Sequence, residues 1–222
     1  MEAIKRLSDR SEFFITLILV FGFPSFYSFI YLIAFLQGYG GPINFNNYSL
    51  INVLELEILT GSAAGAFLYI RYWRLAHFRI NMGWLQTLVG VLLFVAILLL
   101  HYVTVLVLKG AFATEGQIST GIELSQISLT VTIAVCIINS FFEEVFVVGY
   151  IVQGLRKNHD AMFVVTLSAA IRTIYHLYQG PIVISIFFMG LLHAYFYWRW
   201  KSLWPLIFAH GALNFMAFGL GF

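Results

Sequence analysis

The second half of the chain carries ionisable and amide side chains inside its most apolar segments. These side chains are Asn139, Glu143, Glu144, Arg172, His176, His193, His210 and Asn214. Polar groups are costly at membrane depth, so a cluster of them indicates a functional site with partners or a water-filled cavity. Arg172 and His176 are four residues apart, as are His210 and Asn214. Each pair is therefore predicted to share one face of a helix.

Glu143 and Glu144 are neighbours, about 100° apart around an α-helix. One carboxylate can therefore face a cavity while the other supports the site from the side. A carboxylate held next to a second one suits general acid or base work. One carboxylate, two histidines and an amide are sufficient to activate a water molecule and to stabilise a tetrahedral oxyanion. The residue types therefore favour amide hydrolysis.

Four polar residues in apolar segments, His193 among them, have a simpler interpretation. A single intramembrane histidine commonly forms a hydrogen bond between helices, and we expect this of His101 and His193. Glu55 and Glu57 are two residues apart and point to different helix faces. A pair with Arg172, or a position near the membrane interface, accounts for these two glutamates as well as chemistry does.

The composition indicates that these residues lie in helices within a membrane. Of the 222 residues, 61% are hydrophobic and 10% are charged, whereas soluble domains average about 45–50% and about 25%. The net charge of +2 provides no basic surface for nucleic acid. The single cysteine, Cys136, excludes an intramolecular disulfide and a cysteine metal cluster. We therefore predict an all-α, polytopic transmembrane helix bundle that contacts the lipid bilayer and forms one domain, residues 1–222.

A spanning helix needs about 20 mostly apolar residues, and seven segments qualify as candidates. They are residues 14–37, 50–70, 84–108, 124–152, 161–178, 182–198 and 203–220. Basic residues near span ends favour the cytoplasm. With a cytoplasmic N-terminus, the inner segments hold Lys5, Arg6, Arg10, Arg71, Arg74, Arg79, Arg156, Lys157, Arg199 and Lys201, and the outer ones hold Lys109. Residues 1–123 then form three N-terminal spans, and 38–48 and 110–123 are outer loops.

Three segments, in order, resemble the motifs of the CPBP family, the CAAX protease and bacteriocin-processing family, also called Abi. FFEEVFVVG at 141–149 resembles the E-E-x-x-x-R-G motif. HLYQG at 176–180 is similar to the second motif, whose histidine usually follows an aromatic residue four positions earlier. SLWPLIFAHGALN at 202–214 is similar to the third, H-x-x-x-N. The resemblance identifies residues 124–221 as a CPBP-like catalytic core.

The resemblance implies an intramembrane endopeptidase. Glu143 would be the general base and Glu144 its supporting neighbour. His176 would orient the water or protonate the leaving amine, and His210 with Asn214 would bind the oxyanion. The family mechanism has been argued both without metal and with zinc. Glu143, His176 and His210 could ligate zinc with one position open, but they lack the compact H-E-x-x-H spacing, so we favour the mechanism without a cofactor.

Two positions depart from the family pattern. Val148 replaces the motif arginine, and Arg172 replaces the aromatic residue before His176. We hypothesise that Arg172 supplies, from the fifth span, the guanidinium that neutralises Glu144. At about 1.5 Å per residue, His176 would lie nearer the outer end of its span than Glu143. A short, tilted or kinked fifth span would bring the two together.

The leading function is therefore cleavage of a peptide or a membrane-anchored protein in a bacterial plasma membrane. The alternative is a catalytically inactive family member that acts as an immunity or scaffold protein. Val148 favours the alternative, whereas the presence of all five candidate catalytic residues favours the enzyme. The latter are Glu143, Glu144, His176, His210 and Asn214.

Overall fold

The computed structural model describes residue 4 and residues 7–39, 43–111 and 122–221. Within these residues the chain is nearly all helical, which confirms the all-α prediction. The main helices are α1 (Asp9–Leu36), α2 (Asn47–Ile70), α3 (Trp84–Ala111), α4 (Leu129–Glu143), α5 (Ile151–Leu155), α6 (Ala161–Ile174), α7 (Val183–Trp200) and α8 (Trp204–Asn214). A π-helical segment, Glu144–Tyr150, joins α4 to α5, and a second one, Phe215–Gly219, follows α8. Short 3-10 helices at Leu75–Phe78 and Leu177–Ile182 precede α3 and α7.

Side chains that cap the helices fix where several of them begin. Ser8, Asn46, Ser128 and Asp160 each accept a hydrogen bond from the backbone N–H three residues later. Such caps satisfy amides that a helix start leaves without partners. The capped helices α1, α2, α4 and α6 therefore start at defined residues, which fixes the positions of the polar side chains along them.

Five of the described helical segments are long and apolar enough to cross a membrane. They are Asp9–Leu36, Asn47–Ile70, Trp84–Leu108, Leu129–Leu155 and Leu177–Trp200. The other two predicted spans form shorter helices, α6 with 14 residues and α8 with 11. Seven crossings and a cytoplasmic N-terminus therefore stay predictions, and Lys5 and Arg6 lie outside the described residues.

Two predicted span boundaries were wrong. The fourth span begins at Leu129 rather than at residue 124, because Ile122–Leu124 (β2) pairs in parallel with Ile43–Phe45 (β1). These strands lie in the predicted outer loops, of which residues 40–42 and 112–121 fall outside the described residues. The fifth span ends at Ile174 rather than at residue 178. The chain turns there because Gly180, with a φ of 64°, and Pro181 do not continue an α-helix.

Close helix contacts hold the C-terminal half together. Helix α6 packs along α7, and α8 packs against α3 and α4. A Cβ atom on Gly190 would lie 2.9 Å from the Cα of Ala169, so α6 and α7 approach too closely for any larger residue. The π segment lies at the centre of this packing, and all of its residues are buried. The most enclosed part of the bundle is therefore the part that follows the two adjacent glutamates.

Candidate active site

Glu143 and Glu144 lie where α4 passes into the π segment. Their exposed fractions are 4% and 0%, so both carboxylates face the interior of the bundle. Each makes its own set of contacts, as described below. That one carboxylate faces the site while its neighbour supports it stays a prediction.

Glu144 has the strongest set of partners. The Oε1 atom accepts a hydrogen bond of 2.6 Å from Arg172 Nη2 and one of 2.8 Å from His210 Nδ1. The Nδ1 atom of His193 lies 3.1 Å from Oε2. Arg172 and His193 are fully buried. A buried carboxylate is tolerated when charged and polar partners of this kind surround it.

Glu143 has weaker and more numerous partners. Tyr175 donates its hydroxyl to Oε2 at 2.7 Å, and Asn139 donates Nδ2 to Oε1 at 3.1 Å. The Nε2 atoms of His176 and His210 lie 3.9 Å from Oε1 and 4.0 Å from Oε2, respectively. These two distances are longer than direct hydrogen bonds. Glu143 is therefore held in place by a phenol and an amide and is flanked by two imidazoles.

The other ring nitrogens indicate how the two histidines are oriented. Nδ1 of His176 lies 3.0 Å from the backbone carbonyl of Arg172, and Nδ1 of His210 bonds to Glu144. A carbonyl and a carboxylate can only accept, so both Nδ1 atoms carry the proton in the neutral rings. Both Nε2 atoms are then left for chemistry next to Glu143.

Asn214 reaches the site through another amide. Its Nδ2 donates to Asn139 Oδ1 at 2.8 Å and to Ser140 Oγ at 3.2 Å. Asn139 in turn donates to Glu143 and, at 2.6 Å, to Oε1 of Glu57. The predicted Asn214 therefore lies beside α4 with its N–H groups engaged.

The two departures from the family motifs have different surroundings. Arg172 pairs with Glu144, as the sequence hypothesis required, and its Nη1 also lies 3.6 Å from Glu143 Oε2. Val148 is fully buried in the apolar core. Because α6 ends at Ile174, His176 lies beyond the helix and close to Glu143. Because this helix is short, His176 and Glu143 lie at the same level, and the difference in depth expected from the sequence disappears.

Sequence reasoning missed several contacts of the site. We expected His193 to link two helices, and it does so within the site, next to Glu144. Tyr175 had no signal except its position directly before His176. Glu57 does not pair with Arg172; it is buried and bonds to Asn139. His101 bonds to Ser185 of α7 as expected, and Glu55 is exposed.

The possible zinc ligands do not form a metal site in the part of the chain that the structure describes. No group of three His, Cys, Asp or Glu side chains there is arranged to hold a metal ion. The three residues considered from the sequence, Glu143, His176 and His210, are separated by the distances of 3.9 and 4.0 Å given above. We therefore derive no step through a metal.

An apolar groove of about 1390 Å³ lies beside the polar cluster. Helices α2, α4 and α8 and the two π segments form its walls. Ile58, Ile137 and Phe141 line it and are also exposed on the outside of the bundle. The groove therefore opens sideways, toward the surroundings of the helices.

The comparisons with known proteins agree with the motifs. A family model described as Type II CAAX prenyl endopeptidase Rce1-like matches residues 125–216. No match was found among curated proteins or solved structures. The matched residues include Glu143, Glu144, His176, His210 and Asn214, and they exclude α1 to α3. Residues 125–216 are therefore similar to the Rce1-like CAAX protease family, which confirms the resemblance seen in the three motifs, and the apolar helices support a membrane protein.

Proposed function

We propose that this protein is an intramembrane endopeptidase that hydrolyses a peptide bond with a water molecule activated by Glu143. The observation that carries the proposal is the position of the Glu143 carboxylate between two imidazole Nε2 atoms. Tyr175 and Asn139 hold that carboxylate in place. A positioned base of this kind contributes about 10²–10⁴-fold to a hydrolysis.

In the proposed reaction the water oxygen bonds to the carbonyl carbon of the substrate while Glu143 takes a proton from the water. His210 and Asn214 stabilise the oxyanion that forms. His210 takes up a proton from solvent on Nε2 before the reaction, so it donates to that oxyanion as an imidazolium, which the Glu144 carboxylate next to Nδ1 stabilises. Nε2 of His176 orients the water, the carbon–nitrogen bond breaks, and the departing amine receives the proton that Glu143 took from the water, directly or through Nε2 of His176.

Two residues of this proposal act through others. Arg172 and Glu144 form a charge pair that fixes His210, so both are positioning residues.

Asn214 contributes to the oxyanion when it releases Ser140 Oγ, the longer of its two hydrogen bonds. A substrate oxyanion is the stronger acceptor, which favours this exchange.

We further propose a single membrane-embedded domain with seven crossings, a cytoplasmic N-terminus and a bacterial plasma membrane as its location. The substrate is a peptide or a membrane-anchored protein. The distribution of basic residues supports this orientation. The mechanism uses no metal, so cleavage in the presence of a strong chelator should equal cleavage without it. A loss restored by zinc would contradict this part of the proposal.

Glu143→Gln and His210→Ala test the enzyme directly. The purified variants in lipid vesicles should cleave a candidate substrate at least about 100-fold more slowly than the natural protein. Glu55→Gln, an exposed carboxylate on α2, is the matched control and should retain full activity. Each variant is first checked for folding by its thermal unfolding in detergent. If both variants keep the cellular function of the protein, the chain acts by binding, as an immunity or scaffold protein would.

A further inference from the structure

Glu57 extends the site into a helix that lies outside the family match. Helix α2 carries Glu57, whose side chain is 93% buried because the exposed fraction is 7%. One Asn139 Nδ2 group contacts both Glu57 Oε1 at 2.6 Å and Glu143 Oε1 at 3.1 Å. A single amide therefore separates Glu57 from the proposed general base.

Within the part of the chain that the structure describes, the second oxygen of Glu57 has no donor, unlike the first. Oε2 is buried and has no hydrogen-bond partner among the described residues. A buried carboxylate oxygen without a donor costs free energy, and such an atom in a folded protein requires an explanation. A ligand that donates a hydrogen bond to Oε2 would remove this cost.

The apolar groove supplies the route to that oxygen. Of the described residues that line it, only Glu57 and Arg74 carry a charge. Arg74 donates to the backbone carbonyls of Tyr69 and Trp73, so its charge already has partners. Because Glu57 itself lines the groove, a rotation of its carboxylate allows Oε2 to accept a hydrogen bond from a group that is bound there.

The size and walls of the groove favour a polypeptide as that ligand. The volume of about 1390 Å³ exceeds the roughly 300–1,000 Å³ of small-molecule pockets. Gly65 lies on the α2 wall, and a Cβ atom there would have no neighbour within 4 Å. Small residues of this kind allow another backbone to come close inside a membrane. In apolar surroundings the donor that such a chain offers is its backbone N–H.

We propose that the groove binds one apolar, membrane-embedded segment of the substrate and that Glu57 accepts a backbone N–H of this segment beside the scissile peptide bond. This inference rests on the proposed endopeptidase function and names its substrate class. Glu57 thereby selects an extended backbone, because a continuous α-helix has no free N–H in its interior.

Cys136 provides a reporter that does not depend on cleavage. It is the only cysteine of the chain and it lines the groove. The probe is a leucine–alanine peptide of about 22 residues, long enough to span a bilayer, with a central Gly-Gly-Cys. The protein and the probe are combined in phosphatidylcholine vesicles and oxidised with copper phenanthroline. The yield of the Cys136–probe disulfide is then measured.

We expect a strong adduct with the natural protein and with Glu143→Gln. Glu57→Gln keeps an acceptor for Asn139 but places an N–H₂ group where Oε2 was. The adduct should then fall by up to about tenfold, the effect of one lost hydrogen bond. Gly65→Leu should reduce it to a similar extent because the side chain fills the groove. Glu55→Gln and Gly154→Leu are the controls and should change nothing, since both positions are exposed and lie outside the groove.

Four results would overturn the proposal. The adduct could form equally in Glu57→Gln and Gly65→Leu, or it could fail to form at all. Hexadecanethiol could replace the peptide as the partner of Cys136, which would assign the groove to a lipid chain. A Cys136–Cys136 dimer formed without probe would assign it to a second copy of this protein. Loss of the endopeptidase proposal appears separately, as an adduct that forms normally while no Glu143-dependent cleavage occurs.

Discussion

The three N-terminal helices and the helix that carries Glu143 differ in how far the protein itself covers them. In the apolar windows of α1, α2 and α3, 22% of the residues are buried, against 56% in the window of Leu129–Leu155. The N-terminal helices therefore present most of their apolar surface to the surroundings, whereas the fourth segment is enclosed by protein. Polar groups at membrane depth are stable only in the enclosed part, unless each has its own partner.

Charge pairs reflect the same difference. In the N-terminal part, Glu12 accepts from Arg71 Nε at 2.6 Å and from Trp73 Nε1 at 2.8 Å, close to the start of α1. In the C-terminal part, Arg172 and Glu144 pair where both side chains are fully buried. The first cluster joins helix ends, and the second lies inside the bundle. A substitution in the second cluster should therefore lower stability more than one in the first.

The largest effect is expected for Arg172→Leu. It leaves the Glu144 carboxylate buried without its cation, which should lower the free energy of unfolding by about 3–5 kcal/mol. The measurement is denaturant unfolding in detergent micelles. Arg10→Leu, at an exposed arginine, is the control and should change stability by less than about 0.5 kcal/mol. If the Arg172 variant is as stable as the natural protein, the buried charge pair does not contribute more to stability than the pairs at the helix ends.

The double variant Arg172→Phe with Val148→Arg sharpens this prediction. It returns the arginine and the aromatic residue to the positions that the family motifs give them. We expect it to recover stability and activity relative to Arg172→Phe alone, because a guanidinium again neutralises Glu144. Defects that add up, when both single variants are measured beside it, would show that Arg172 does not compensate for Val148.

Tyr175→Phe should have the next largest effect, and on activity. It removes the hydroxyl that donates to Glu143 at 2.7 Å. A hydrogen bond to a charged group contributes about 1.5–3 kcal/mol, so kcat should fall by at least about tenfold. The matched control is Tyr150→Phe, which removes a longer contact of 3.4 Å to Glu12. It should leave kcat unchanged, and an equal decrease in both variants would contradict a specific role for Tyr175.

Gly190→Ala should lower stability by about 1–3 kcal/mol through overpacking. The new Cβ would lie 2.9 Å from the Cα of Ala169, a backbone atom that cannot move without moving α6. Thermal unfolding in detergent measures the effect. An unchanged unfolding temperature would mean that α6 and α7 can separate at little cost.

Gly65→Ala should have the smallest effect, and it should raise the stability of the protein rather than lower it. Its Cβ meets nothing within 4 Å, and alanine stabilises a helix interior by about 0.5–1 kcal/mol relative to glycine. The same unfolding measurement applies. A loss of stability here would mean that α2 is packed as closely as α7.

The sequence was sufficient to predict candidate site residues that the structure brings together, but not the contacts between them. Glu143, His176 and His210 were predicted from three motifs, since each motif lies within one short segment. Tyr175 and His193 were missed because their value depends on which helix lies opposite, and spacing within one helix does not contain that information. The end of α6 at Ile174 was also missed, although Gly180 and Pro181 marked the turn.

The short pairing of β1 with β2 has a consequence for the depth of the site. Each strand leads into a helix that runs in the same direction, β1 into α2 and β2 into α4. Glu57 follows the first residue of α2 by ten positions (57 − 47), and Asn139 follows the first residue of α4 by ten (139 − 129). At about 1.5 Å per residue, both side chains lie the same distance along their helices from the helix starts. The strand pairing thus holds the starts of α2 and α4 near each other, and the equal spacing along the two helices brings Glu57 to the level of Asn139.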